Sequence, residues 1–110
     1  MVGKNYIPEK GDICWASLDP TVGHEQKGRR PVLVVSSFKY NKSSKLSLIC
    51  PITSVIKDYP SEVKIATKGV VLSDHIRSVA WEERNFDFIT KVSPEILAEV
   101  LHKIEILLEI

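Results

Sequence analysis

Hydrophobic positions along the chain follow two different periods. Over the first three quarters they gather in short runs rich in Val, Ile and Leu, at residues 13–18, 31–36, 46–52, 61–66, 70–73 and 76–81. Turn-forming residues separate the runs: Asp19-Pro20, Gly23, Gly28, Asn41 with Ser43 and Ser44, Asp58 to Pro60, and Lys68-Gly69. Strands at this spacing with no helix between them predict an antiparallel sheet or small barrel. Residues 32–35 are continuously apolar, as expected of a central strand covered on both faces, whereas Glu62-Val63-Lys64-Ile65 alternates and predicts one wet face. The period changes at Ser93-Pro94-Glu95. There Ser can offer its oxygen to open backbone N–H groups as an N-cap, and Pro takes the first helical position, where no N–H is needed. Beyond it Ile96, Leu97, Val100, Leu101, Ile104, Leu107 and Leu108 share a helical stripe about 140° wide, which predicts that this face packs on the sheet. Ile106 and Ile110 fall off the stripe, and either fray with the chain end or touch another chain. The expected class is mainly β with a C-terminal α-helix.

Composition narrows the picture a little. The 110 residues suit one domain with a modest core, and 44% apolar with 26% charged residues suggests neither disorder nor a membrane span. Cys14 and Cys50 sit inside apolar runs with no metal-ligand spacing, so they are expected as reduced core residues, a disulfide being the lesser option. No apolar stretch nears the roughly 20 residues that cross a bilayer, and no leader pattern precedes the first run, so the expected compartment is the cytoplasm.

Charge changes the picture more. The net value of +1 alone argues against an electrostatic nucleic-acid binder, but the charges are unevenly placed. Between residues 24 and 45, Lys27, Arg29, Arg30, Lys39, Lys42 and Lys45 face the single acid Glu25: six minus one, a local +5. The C-terminal helix carries Glu95, Glu99, Glu105 and Glu109 against Lys103, or −3. Phe38 and Tyr40 interleave with Lys39 and Lys42, the mixture of stacking rings and cations that single-stranded RNA binding uses.

Phosphate-binding, dinucleotide-binding, zinc-protease and α/β-hydrolase motifs are all missing, and His24, His75 and His102 are not at ligand spacing. The chemistry that remains is acid/base work with cationic stabilisation. Three polar clusters flank buried runs: residues 23–31, Pro51-Ile52-Thr53-Ser54, and Ser73-Asp74-His75-Ile76-Arg77. Together they fit RNA cleavage in which the 2′-hydroxyl attacks its own phosphate. That reaction needs a base, an acid and donors for the developing phosphoryl charge, but no protein nucleophile or metal. Arginine suits the third task, because its charge is permanent and its planar fork matches phosphate oxygens. Glu25 or His24 could move the protons.

Several of these segments resemble a known family. Gly11-Asp12-Ile13, Leu18-Asp19-Pro20-Thr21, Gly23-His24-Glu25-Gln26, Arg30-Pro31-Val32-Leu33-Val34, Pro51-Ile52-Thr53-Ser54, Tyr59-Pro60, Gly69-Val70-Val71-Leu72-Ser73-Asp74 and Ala80-Trp81 occur in the order and spacing of the MazF/PemK (Kid) toxins. The resemblance implies an SH3-like, CcdB/PemK-type small β-barrel with a C-terminal helix. It also implies a sequence-specific, metal- and ribosome-independent endoribonuclease for single-stranded RNA that needs no cofactor, forms a homodimer and is neutralised by a cognate antitoxin. A CcdB-like gyrase poison, which shares the fold without being an enzyme, is the alternative from another class.

Position by position, the resemblance makes Arg30 the catalytic arginine and Thr53 the active-site threonine that binds the scissile phosphate. Glu25 and His24 become proton-transfer candidates. Gln26 belongs to the same motif, Ser54 and Asp74 match RNA-contacting positions, Arg77 falls where a basic residue is common, and Arg29 is assigned a phosphate contact. Two departures stand out: Leu72 replaces an arginine of the PemK/Kid branch, and His75 replaces a glutamine. The acid and base roles are therefore open between Arg30 with Glu25 and a pairing of His24 with His75.

Overall fold

The structure, a computed structural model, describes residues 6–18, 28–65 and 69–110. Seven strands make one sheet: β1 (Asp12–Ser17), β2 (Arg29–Val34), β3 (Leu46–Thr53), β4 (Glu62–Ile65), β5 (Gly69–Leu72), β6 (Arg77–Ala80) and β7 (Asp87–Lys91). They pair antiparallel in the order β4-β5-β3-β2-β1-β7, with β6 also on β3. Strand β3 is long enough to take β6 along its first half and β5 along its last two residues. This is the mainly β, half-barrel fold with a C-terminal helix that the hydrophobic pattern predicts.

The continuous apolar run divides two cores. Side chains alternate faces along a strand, so Leu33 and Val35 join Ile13, Cys50, Ile52, Val63 and Val71 on one side. Val32 and Val34 join Cys14, Ala16, Ile49, Val79, Trp81 and Phe86 on the other. Cys14 and Cys50 are thus fully buried on opposite faces and not joined in a disulfide. Burial pushes both thiols up to about 12. Asp12 is also buried; it accepts bonds from the Tyr6 hydroxyl and the Glu9 N–H and pairs with Lys91 at 2.7 Å.

Three elements depart from expectation. Residues 38–44, read as an aromatic and basic turn, form helix α1 (Phe38–Ser44): Ser37 accepts the Tyr40 N–H, and Lys45 closes the end with φ 64°. β7 has no counterpart in the predicted runs because all five of its residues are exposed, so no alternation marks it. Helix α2 (Pro94–Leu108) starts at the predicted Ser93 cap and buries Val100 and Ile104, but its last turn runs past the sheet. Leu107 and Leu108, expected to pack, are 52% and 59% exposed, beside Ile106 at 60% and Ile110 at 86%. No described helix is long and apolar enough to cross a membrane.

Candidate active site

β2 begins at Arg29, two residues before the predicted strand, and this start sets the site. Being neighbours on a strand, Arg29 and Arg30 point to opposite faces. Arg29 lies across from Ser17, donates to its hydroxyl at 3.0 Å and to the Asn85 carbonyl at 2.9 Å, and pairs with Asp87 at 2.7 Å. This guanidinium, assigned a phosphate contact by the resemblance, clamps the stems of β1 and β2 to the turn before β7. Arg84 adds bonds to the Ser17 and Leu18 carbonyls.

Arg30 faces the other way. Val32 pairs with Pro51, and side-chain alternation two further steps along each strand turns Arg30 and Thr53 to the same face. Arg77, paired with Ile49, shares that face. These three side chains line one cleft of about 680 Å³, together with Asp74 and His75 from the short turn between β5 and β6. Ser54 joins Arg29, Arg30 and Thr53 in an adjoining recess of about 320 Å³. The structure therefore brings Arg30, Thr53, Ser54, Asp74, His75 and Arg77 together from three separated segments. His24, Glu25 and Gln26 lie outside the described residues. The chain on either side of them is in place: Leu18 lines the cleft and its N–H reaches the Gly28 carbonyl at 3.2 Å.

Local hydrogen bonding decides what these groups can do. The Thr53 hydroxyl oxygen accepts the Val55 N–H at 3.2 Å, which leaves its proton to donate. His75 Nε2 stands 3.7 Å from Asp74 Oδ1, an ion pair whenever the imidazole is protonated. Among the described residues no side chain pairs with the Arg30 guanidinium. Three basic side chains, Arg30, Lys57 and Arg77, share the cleft with two acidic ones, Asp74 and Glu62. A cleft so equipped suits a phosphodiester. Among the described residues, no three His, Cys, Asp or Glu side chains gather to hold a metal ion.

Residues 9–108 match a family described as PemK-like, MazF-like toxin of type II toxin-antitoxin system. The chain belongs to this PemK/MazF family. It is 40% identical over 106 residues to the endoribonuclease toxin MazF of Escherichia coli K12, covering 94% of this chain and 96% of that one. Against the endoribonuclease PemK of Escherichia coli the identity is 36% over 119 residues, covering 98% and 87%. The crystal structure of MazE-MazF from Deinococcus radiodurans superposes with a TM-score of 0.88 at 41% identity, over 96% of this chain and 99% of that one.

The sequence singled out one face of this PemK/MazF-family cleft and passed over another. Val55, Lys57, Ser61 and Glu62 line it as well, and Tyr59, noted only within a motif, stands among them. Only turn residues mark this stretch in the sequence, because its shape comes from backbone hydrogen bonds rather than from a periodic pattern. Phe38 and Tyr40, by contrast, are exposed on α1, at the end of β3 away from Thr53.

Proposed function

We propose that this chain is a toxin endoribonuclease that cleaves single-stranded RNA within a short sequence, without metal or ribosome, by attack of the 2′-hydroxyl on the adjacent phosphorus. The observation that carries the reading is that Arg30 and Thr53 line one cleft, which also receives Arg77, Asp74 and His75. A bond forms from the 2′-oxygen to phosphorus as the bond to the 5′-oxygen breaks, leaving a 2′,3′-cyclic phosphate and a 5′-hydroxyl. Arg30 holds the charge that grows on the non-bridging oxygens, and Thr53 donates its hydroxyl proton to one of them. Arg77 and Ser54 fix the flanking backbone. The base is Glu25 or His24 from the segment between Leu18 and Gly28, and the acid is Arg30 or His75.

The endoribonuclease names of the relatives support this reading over a gyrase poison. The MazE-MazF neighbour supports a cognate antitoxin, with an acidic segment competing with RNA for the cations. The exposed apolar end of α2 supports a homodimer, and the cytoplasm is the compartment where such an enzyme meets messenger RNA. The deciding experiment incubates purified, antitoxin-free protein with single-stranded RNA in EDTA. Cyclic-phosphate ends that need Arg30 are expected; RNA that stays intact would overturn the reading, and cutting lost on chelation would overturn its metal-free part.

A further inference from the structure

The stretch between β3 and β4 is held more firmly than a surface loop needs to be. Both oxygens of the Glu62 carboxylate accept the Lys57 N–H, at 3.2 and 3.3 Å, and one also takes the Asp58 N–H at 3.0 Å. The Glu62 N–H returns to the Tyr59 carbonyl at 3.0 Å, and Lys103 of α2 donates to the Pro60 carbonyl at 2.6 Å. Asp58 holds φ 60°, in the left-handed region, so the turn is tightly specified. What this frame presents is a tyrosine ring 57% exposed on the cleft, with the Lys57 ammonium 6.0 Å from its centroid and Val55 beside it, 58% exposed.

An exposed aromatic ring is an odd thing to mount on so well-held a turn unless its placement matters. Every nucleobase has a π-face that stacks on such a ring, and a platform already locked in place loses little entropy when it binds. We propose that Tyr59, with Val55 and Lys57, forms a nucleobase subsite beside the scissile phosphate, and that Glu62 is the positioning residue that orients it. The inference rests on the RNA-cleavage reading for its substrate. Tyr59 stacks on a base flanking the cut, Val55 closes the edge of the platform, and Lys57 meets the phosphate of that nucleotide. Choice of cut site then depends partly on which bases stack well there.

The test uses a short, fluorescent RNA of randomised sequence with 2′-fluoro sugars, which lacks the attacking hydroxyl and so reports binding alone. Tyr59→Ala is expected to weaken binding about ten-fold. Tyr59→Phe keeps it, since the ring and not its hydroxyl is at work, and both variants unfold at the temperature of the parent. Glu62→Gln lies between, with KM for unmodified RNA raised more than kcat is lowered. Sequencing the 5′ ends of fragments made by Tyr59→Ala is expected to show a broader base preference next to the cut. Unchanged affinity and cut pattern in Tyr59→Ala, equal loss in Tyr59→Phe, or a parent protein that ignores the RNA would each overturn the subsite. Binding that depends on Tyr59, in a protein that never cuts unmodified RNA, would uphold the subsite and sink the cleavage reading instead.

Discussion

The two ends of β3 use the same kinds of residue for opposite purposes. At its start, beside α1, the side-chain amide of the fully buried Asn41 donates to the Pro8 and Ser36 carbonyls and accepts the Ser36 hydroxyl at 2.5 Å. The Asn41 carbonyl takes the Trp81 indole N–H at 2.9 Å, and Ser36 also accepts the Leu48 N–H. Donors and acceptors there close on one another. Toward the other end of the strand, Thr53 and Arg30, with Arg77 reaching in from beside Ile49, face a cleft with hydrogen-bonding capacity left for something else. Each end also carries exposed tyrosine and lysine: Tyr40 with Lys39 and Lys42 at the first, Tyr59 with Lys57 at the second. Residue type therefore does not distinguish a structural hub from a reactive site. Whether the polar groups satisfy each other does.

The strongest test of this contrast is at the cleft. Arg30→Ala is expected to lower the cleavage rate by roughly 2–4 kcal/mol of transition-state stabilisation while leaving the melting temperature unchanged, read by single-turnover cleavage beside thermal unfolding. Asn41→Ala should do the reverse. Several buried partners lose their bonds, so urea unfolding should show a loss of about 2–3 kcal/mol, with normal cleavage per folded molecule. A large catalytic defect in Asn41→Ala would dissolve the distinction between the two ends.

Titration sharpens the comparison from the side of the cores. Cys14 and Cys50 hold their protons in the fold to about 12, whereas in the unfolded chain they lose them near 9.0. Between those values the unfolded state binds fewer protons, so stability is full below about pH 9 and falls as pH rises toward 12. Cys50→Ala should flatten that fall in urea midpoints measured across the range. The smallest effect is expected from Phe38→Ala combined with Tyr40→Ala: within about 0.5 kcal/mol in stability and no change in RNA affinity. A clear loss of RNA binding there would show that the basic, aromatic helix also meets the substrate.

What the sequence made legible was whatever repeats or has a local chemical signature. The apolar run at 32–35 predicted a strand buried on both faces, and Ser93-Pro94 predicted where the last helix begins. β7 was invisible because Asp87 to Lys91 are all exposed, and α1 because its single buried residue is an asparagine. The end of α2 keeps the helical stripe after the sheet beneath it has run out, so Leu107 and Leu108 look like core residues and are not. At the cleft, Arg30 and Thr53 were found through the motifs that contain them. The Tyr59 platform was not, since what builds it is a glutamate gripping main-chain N–H groups, and any sequence has those.

The arginine doublet carries a consequence for how such a chain can change. Two identical neighbouring residues do unlike jobs because the pleat counts positions back from Pro31: even steps reach Asp87, odd steps reach the cleft. Residues added or removed before Gly28 leave that count untouched. A single residue gained or lost between Arg30 and Val32 would exchange the two placements, turning the cleft-facing guanidinium into the brace and the brace toward the cleft. The division of labour between the two arginines is thus blind to length on one side of Gly28 and hostage to it on the other.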